Sequence, residues 1–79
     1  MKVEIYSKDN CVFCTKAKMK LEKQNPKILM LNEDYTMDVF FDKFPNAKTF
    51  PQIVINDTHV GGYRELKIWL EQNTFDEKF

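Results

Sequence analysis

The first 32 residues carry the patterns of a strand, a helix and a second strand in turn, and this order constrains the fold more than any other feature. Residues 2–7 alternate apolar and polar side chains, which predicts a strand. Residues 12–24 repeat apolar side chains with a helical period. Residues 27–32 contain four consecutive apolar residues, a pattern typical of a strand buried on both faces. Together the three segments predict a βαβ unit.

The first predicted helix has an apolar face and a basic face. Phe13, Ala17 and Leu21 recur at fourfold spacing, so we expect all three to face the core. Lys16, Lys20 and Lys23 fall on a more polar face, which we interpret as a solvated surface; the alternative is a role in attracting acidic partners. Asn25 and Pro26 stop the helix, because a proline disfavours helical backbone in the residue before it.

The next segment predicts a second helix with an aromatic stripe. Thr36 suits the start of this helix, because its hydroxyl can accept a backbone N–H there. Pro45 ends the helix. Four apolar side chains at helical spacing are expected to form its core face: Met37, Phe40, Phe41 and Phe44. This spacing is what burial of one helix face requires, so we interpret the aromatic residues as core and not as a surface that stacks a cofactor.

The last third of the sequence predicts a hairpin and a final helix. Residues 52–55 and 58–60 have strand patterns and are joined by a tight turn at 56–57. The glycine pair at 61–62 breaks the second of these strands. The apolar face of the final helix comprises Leu66, Trp69 and Leu70. We expect this helix to end near position 73 and residues 74–79 to form a frayed tail.

The resulting order is βαβαββα, an α/β fold with a parallel pair of strands, an antiparallel hairpin and helices on both faces of the sheet. We expect residues 1–79 to form one domain, with 43% hydrophobic residues to build its core. Twelve basic and twelve acidic residues cancel, which argues against binding to nucleic acid or to an anionic membrane. The sequence opens directly into a strand, without the pattern of a secretory signal, and no apolar run reaches the length of a membrane span. These features predict a cytoplasmic location.

Cys11 and Cys14 lie three residues apart at the predicted start of the first helix. Unpaired backbone N–H groups and the helix dipole favour a thiolate there, and CxxC thiols at helix N-termini have a lowered pKa. Cys11 is nearest the helix start, so we predict that it is the nucleophile. Cys14, one turn later, is positioned to resolve a mixed disulfide on Cys11. Two cysteines so spaced in a reducing compartment favour a catalytic role.

Two other interpretations of the cysteine pair fit less well. A structural zinc site needs four ligands, and beyond the two cysteines the chain offers only His59 and carboxylates. Two core cysteines would need neither a helix start nor the polar loop at residues 7–10 before it. We therefore predict no metal site, and we interpret His59 as structural or exposed.

Four motifs agree in order and spacing with one known family. They are Tyr6-Ser7-Lys8, Cys11-Val12-Phe13-Cys14, Thr49-Phe50-Pro51-Gln52-Ile53 and Val60-Gly61-Gly62-Tyr63. The chain resembles the glutaredoxins over nearly its whole length, in particular the small dithiol glutaredoxins of bacteria and their phages. The resemblance implies the thioredoxin-like fold in its minimal form, with three helices and a four-stranded mixed sheet. In that sheet the first strand lies between the second and the third, and the fourth lies beyond the third.

The resemblance also implies which residues carry the chemistry. Cys11 and Cys14 take the catalytic roles, and Pro51 is expected to follow a cis peptide bond. Bare N–H groups at the Gly61-Gly62 corner would suit a carboxylate of glutathione. The implied glutathione-binding residues are Lys8, Phe13, Thr49, Phe50, Pro51, Gly62, Tyr63 and Arg64. Arg64 departs from the family, since many relatives have an aspartate that contacts the glutathione amine.

The implied function is that of a glutathione-dependent thiol–disulfide oxidoreductase, which reduces protein disulfides and protein–glutathione mixed disulfides in electron transport and cell redox homeostasis. Glutathione would be the reductant, no tightly bound cofactor is expected, and the protein would act as a monomer. Ribonucleotide reductase is the target that the resemblance suggests. Two alternatives use the same fold. One is an NrdH-like electron donor reduced by thioredoxin reductase. The other is an iron–sulfur cluster carrier, since the CVFC motif lacks the proline of CPYC relatives.

Overall fold

Strands and helices alternate in the predicted order in the computed structural model, which describes residues 1–73. The predicted tail at residues 74–79 lies outside the described residues. The strands are β1 (Val3–Ser7), β2 (Lys27–Met30), β3 (Gln52–Ile55) and β4 (Thr58–Gly61). The helices are α1 (Val12–Lys20), α2 (Met37–Lys43) and α3 (Tyr63–Gln72), and a short 3-10 helix spans Glu22–Gln24.

The four strands form one mixed sheet in the order β2-β1-β3-β4. β1 pairs in parallel with β2 and antiparallel with β3, so Ile5 lies between Ile28 and Ile53 at the centre of the sheet. The hairpin of β3 and β4 turns at Asn56 and Asp57, both with positive φ. The sheet order and the thioredoxin-like fold are confirmed.

The prediction that β2 is buried on both faces was wrong. β2 is an edge strand, Lys27 is exposed, and the other three residues are only half-buried. The described helices cover the middle of the sheet more fully than its edge, so an apolar run does not by itself indicate a central strand.

Each face of the sheet carries its own hydrophobic cluster. On one face α1 and α3 pack against β1 and β3, and the buried residues there are Val3, Ile5, Ala17, Leu21, Ile53, Ile55, Leu66 and Leu70. On the other face α2 supplies the aromatic side chains, and the cluster comprises Tyr6, Tyr35, Phe40, Phe44 and Val54. The described helices therefore cover both faces, as predicted.

The buried face of α1 is displaced from the predicted one. Cys14, Ala17 and Leu21 are the buried residues, whereas Phe13 is 52% exposed. In α2 the stripe is likewise narrower than predicted, because Phe41 is 49% exposed. Helical spacing identifies several residues that can share a face, but the position of the sheet decides which of them it covers.

Helix α1 ends earlier than predicted. The α-helix ends at Lys20, and the 3-10 helix over Glu22–Gln24 follows it. Asn25 then adopts a left-handed conformation with φ 54° directly before Pro26. Proline disfavours helical backbone at the preceding residue, so the stop itself lies where it was predicted. The last turn has tightened into 3-10 geometry, which is common at helix ends.

Tyr35 is a core residue that the sequence reasoning missed. Its hydroxyl donates a hydrogen bond of 2.6 Å to the carbonyl oxygen of Ser7, the last residue of β1. The Tyr35 ring also lies 6.0 Å from the ring of Phe40, and Thr36 between them caps α2 through the N–H of Val39. The contact between Tyr35, just before the cap, and Phe40, five residues later, is a hydrophobic staple. The sequence therefore did contain a signal that Tyr35 is buried.

Removal of this hydroxyl should make the protein less stable in a pH-dependent way. Burial raises the pKa of Tyr35 to about 12. In the unfolded chain the tyrosine ionises near pH ~10. The hydroxyl therefore contributes stability below pH ~10 that is lost as the pH rises through about 12. Tyr35→Phe should cost about 1 kcal/mol at neutral pH, and the difference from the wild type should shrink above pH ~10.

Urea unfolding followed by circular dichroism, from pH 7 to pH 11, would measure this difference. The carbonyl of Ser7 also accepts the N–H of Leu31 at 2.9 Å, so the variant leaves it with one partner and should fold. A difference that stays constant up to pH 11 would contradict the assigned pKa.

Candidate active site

The two cysteines form a disulfide at the N-terminus of α1, at the carboxyl end of β1. Their Cα atoms are 5.2 Å apart. Cys11 is the capping residue, and its sulfur accepts the N–H of Cys14 at 3.2 Å. Cys11 is half-buried, whereas Cys14 is only 1% exposed. An incoming sulfur can therefore reach Cys11, while Cys14 is covered by the protein.

After reduction, the same geometry favours a thiolate on Cys11. A sulfur at a helix N-terminus that accepts a backbone N–H is stabilised in its charged form by that hydrogen bond and by the helix dipole. Cys14 has no comparable position, because it lies inside the first turn and is buried. The environments of the two sulfurs thus favour the predicted roles.

A loop from the other half of the chain lies against the disulfide. The sulfur of Cys11 is 3.8 Å from the carbonyl oxygen of Phe50. The peptide bond between Phe50 and Pro51 is cis, as the resemblance implied, and Pro51 is buried. A molecule bonded to Cys11 would therefore lie beside the backbone of Thr49 and Phe50.

A groove of about 560 Å³ opens beside this loop. It is lined by Phe13, Lys16, Thr49, Phe50, Gly62, Tyr63, Arg64, Glu65 and Lys67. The predicted binding residues among them are Phe13, Thr49, Phe50, Gly62, Tyr63 and Arg64. The structure adds Lys16, Glu65 and Lys67, which the sequence reasoning did not assign to the site. Helical spacing from Phe13 and Tyr63 is the signal that relates the two lysines to the groove.

Lys8 lies outside this groove. It lines a second cavity, of about 500 Å³, together with Cys11, Asp9, Lys18 and other residues, whereas Cys11 is not among the residues that line the groove. Its Nζ atom is nevertheless 5.3 Å from the centroid of the Phe50 ring, so its charge is close to the loop that contacts Cys11. The structure therefore brings Lys8 near the disulfide without making it part of the groove wall.

Two aromatic rings form one side of the groove. The ring of Phe13 lies 5.6 Å from the ring of Tyr63, which joins the start of α1 to the start of α3. Lys16 places its ammonium 5.4 Å from the Phe13 ring, and Lys67 places its own 5.5 Å from the Tyr63 ring. The exposure of Phe13 thus creates an apolar surface with a cation beside each ring.

The glycine corner before α3 differs from the prediction in one respect. Gly61 has φ +126°, and a Cβ atom there would lie 2.8 Å from the Cβ of Glu65, so only glycine fits without a shift. The N–H of Gly62 is not bare, because it donates a hydrogen bond of 2.9 Å to Oε1 of Glu65. An acidic residue at the third helical position commonly reaches back in this way. The Gly62 N–H was expected to bind a carboxylate of glutathione, but it is already hydrogen-bonded to the carboxylate of Glu65.

His59, on β4, is linked through Gln52 to the loop that contains Thr49 and Phe50. The side-chain amide of Gln52 donates to the carbonyl oxygen of Thr49 at 2.9 Å, and its oxygen lies 2.7 Å from Nε2 of His59. With the amide in this orientation, His59 donates from Nε2. Burial lowers the pKa of His59, and the nearby charge of Glu65 opposes that shift only in part. His59 is thus exposed and hydrogen-bonded to Gln52, which agrees with the prediction of a structural or exposed residue.

Neither a group of metal-binding side chains nor a membrane-spanning helix is present among the described residues. Within residues 1–73, no group of three or more histidine, cysteine, aspartate or glutamate side chains could hold a metal ion. In the same part of the chain, none of the helices is long and apolar enough to cross a membrane.

Comparison with known proteins gives concordant matches. The family model described as glutaredoxin matches residues 3–60. A probable glutaredoxin from Synechocystis sp. is 32% identical over 68 residues, which cover 82% of this chain and 62% of the relative. The match thus spans less than two thirds of that curated relative's length.

Two solved structures resemble this one over almost all of both chains. The crystal structure of glutaredoxin 1 from Francisella tularensis, complexed with cacodylate, has a TM-score of 0.77 and 28% identity over 95% of this chain and 98% of the other. Reduced glutaredoxin from Escherichia coli has a TM-score of 0.79 and 25% identity over 96% of this chain and 100% of the other. The TM-scores over nearly the whole of both chains show that the folds agree.

Proposed function

The chain belongs to the glutaredoxin family, and we propose that it reduces protein disulfides and protein–glutathione mixed disulfides with glutathione as its reductant. Family membership and the paired cysteines support thiol–disulfide exchange in general. The observation that carries the finer proposal is the half-buried sulfur of Cys11, which lies at a helix N-terminus and against the loop of Phe50, with the groove beside that loop. Glutathione, once bonded to this sulfur, would extend along the groove.

The reaction starts from the reduced protein. The thiolate of Cys11 attacks one sulfur of the substrate disulfide, forms a mixed disulfide and expels the other sulfur as a thiolate. The thiolate of Cys14 then attacks the sulfur of Cys11 and releases the second sulfur of the substrate. The substrate gains two electrons and takes up two protons, while the protein loses two thiol protons and becomes the disulfide. Two molecules of glutathione restore the dithiol and leave as oxidised glutathione.

Glutathione carries two carboxylates and one ammonium group, and the cations that line the groove suit its carboxylates. The cysteinyl part would lie against the backbone of Thr49 and Phe50, beside the sulfur of Cys11. The γ-glutamyl end would reach the start of α3 at Gly62 and Tyr63, as the resemblance implies. Pro51 and Lys8 complete the proposed site, the first beneath the loop and the second beside the Phe50 ring.

The wider setting belongs to the same proposal. The reaction draws electrons from a reduced thiol pool, so we assign the protein to the cytoplasm. We also propose that it acts as a monomer, that residues 1–79 form one domain, and that disulfide-containing proteins such as ribonucleotide reductase are its targets.

A comparison of electron sources tests this function. One model disulfide is reduced with glutathione and glutathione reductase in one assay, and with thioredoxin reductase in the other. We expect rapid turnover with glutathione and little with thioredoxin reductase. Turnover that depends on thioredoxin reductase and ignores glutathione would contradict the proposal and would favour the NrdH-like donor.

Arg64→Asp should improve the use of glutathionylated substrates. Arg64 is exposed and lines the groove in the first turn of α3, where the γ-glutamyl ammonium group would lie. An arginine repels that ammonium and an aspartate attracts it. A partly exposed charge pair contributes about 0.2–1 kcal/mol, so the KM should fall a few-fold while kcat changes little. Steady-state kinetics at low and high salt would measure the effect, which added salt should reduce.

Lys20→Asp is the matched control for this prediction, because it makes the same change of charge on α1 at an exposed residue outside the groove lining. It should leave the KM close to that of the wild type. An unchanged KM in Arg64→Asp at low salt would mean that residue 64 does not face the ligand.

A further inference from the structure

We propose that the groove beside the loop of Thr49 and Phe50, which contacts the sulfur of Cys11, is a docking surface for an acidic segment of a protein substrate. The carboxylates of that segment would meet Lys16, Arg64 and Lys67 while its disulfide meets Cys11. This inference rests on the exchange reaction proposed above, and it names the class of protein that the reaction prefers.

Charge is distributed unevenly around the disulfide. Over the whole chain, basic and acidic residues balance at twelve each. The groove, by contrast, is lined by three cations and one anion, and that anion, Glu65, is already hydrogen-bonded to Gly62. The cavity that Cys11 and Lys8 line adds two cations and one anion. A substrate that approaches Cys11 therefore meets a positive surface on a chain without net charge.

The two groove lysines are held at defined positions. Lys16 extends from α1 to the ring of Phe13, and Lys67 extends from α3 to the ring of Tyr63, at 5.4 Å and 5.5 Å. The rings themselves are 5.6 Å apart. Contact with a ring restricts each flexible lysine before any partner arrives, so less conformational entropy is lost when a carboxylate binds.

Apolar side chains next to Cys11 complete the surface. Phe13, which lines the groove, is 52% exposed, and Val12, which lines the cavity of Lys8, is 68% exposed. An aromatic side chain that is exposed at the centre of a charged surface is typical of a site where a protein partner binds. The partner segment would thus present an apolar side chain near its cysteine and acidic residues on its flanks.

The chemistry of Cys11 argues against nucleic acid as the partner of this surface. A nucleic acid would also meet the lysines, but it carries no disulfide for Cys11 to attack. The Phe50 loop, which borders the groove, also contacts the sulfur of Cys11. A partner bound in the groove would therefore lie close to the sulfur that reacts. An acidic protein segment with a cystine satisfies both parts of the surface.

Two peptides test the proposal without glutathione. Each contains one intramolecular cystine and a neighbouring leucine, and the flanking residues are glutamate in the acidic peptide and glutamine in the neutral one. Reduced protein is mixed with excess peptide, and the reaction is quenched with acid and analysed by chromatography. Three partly exposed pairs should make the acidic peptide react about tenfold faster at low ionic strength. At 0.5 M salt the ratio should fall to about twofold or less.

Four lysine variants assign the effect to the groove. Lys16→Gln and Lys67→Gln should each lower the ratio of the two rates by about 1.4- to 5-fold. The matched control Lys20→Gln removes the same charge from an exposed position of α1 outside the groove lining and should leave the ratio unchanged. Lys67→Arg keeps the charge and should keep the ratio, which separates loss of charge from a change in folding.

The outcomes distinguish docking from chemistry. Equal rates for the two peptides at low salt, or an equal loss in Lys20→Gln, would overturn the docking surface and leave the exchange reaction intact. Failure to reduce either peptide would overturn the exchange reaction and the docking surface together. Failure of glutathione alone to sustain turnover would overturn only the choice of reductant.

Discussion

Cys11→Ser should reduce turnover to the rate measured without enzyme, with protein disulfides and with glutathione mixed disulfides alike. The sulfur of Cys11 is the accessible one of the pair, and it accepts a backbone N–H at the start of α1. A serine hydroxyl at this position is un-ionised at neutral pH and cannot form a mixed disulfide, so every proposed route loses its first step. Reduction of a model disulfide by the purified variant would measure the loss.

Alkylation gives an independent check on this assignment. Iodoacetamide at pH 6 should label Cys11 of the reduced protein before Cys14, because the thiolate reacts and Cys14 is only 1% exposed. Mass spectrometry of the digested protein would identify the labelled residue. If Cys11→Ser kept appreciable activity while Cys14→Ser lost all of it, the two roles would have to be exchanged.

Cys14→Ser should separate the two kinds of substrate. The variant can still form a mixed disulfide on Cys11, and external glutathione can reach this half-buried sulfur to resolve it. Removal of glutathione from mixed disulfides should therefore continue. Protein disulfides need an internal thiol one turn away, so with them the variant should accumulate as a covalent adduct.

Two measurements on the same preparation test this separation. Mass spectrometry should detect the adduct with a protein disulfide, and dithiothreitol should release it. A coupled assay with glutathione reductase should show retained activity on a glutathionylated peptide. An equal loss of both activities would mean that glutathione cannot replace Cys14, and it would contradict the proposed access to Cys11.

Features that depend on neighbouring residues could be predicted well from the sequence. Thr36 caps α2, Asn56 and Asp57 form the turn of the hairpin, and Asn25 with Pro26 stops the helical segment. Each is a local matter of backbone conformation or of one short hydrogen bond. The order of the elements and the place of the disulfide at a helix start followed from such local signals.

The errors concern surfaces that distant elements cover. Phe13 and Phe41 have the spacing of core residues but are about half exposed, because the sheet covers a narrower part of each helix than the pattern allows. β2 has a fully apolar pattern yet lies at the edge of the sheet. Hydrophobic periodicity indicates which side chains can be buried together, but not how much of the helix the sheet covers.

The sequence by itself determined the order of strands and helices along the chain, the cysteine spacing and the break of β4 at the glycine pair, because these depend on contacts within a few residues. Only the tertiary structure added Lys16, Glu65 and Lys67 to the groove. Lys16 and Lys67 are separated by most of the chain, and they flank one aromatic surface because α1 and α3 pack on the same face of the sheet. The capture of the Gly62 N–H by Glu65 likewise depends on where one side chain turns in the folded protein. The lining of the groove and the hydrogen bond of Glu65 depend on packing and electrostatics in the folded protein, for which a single sequence carries no periodic signal.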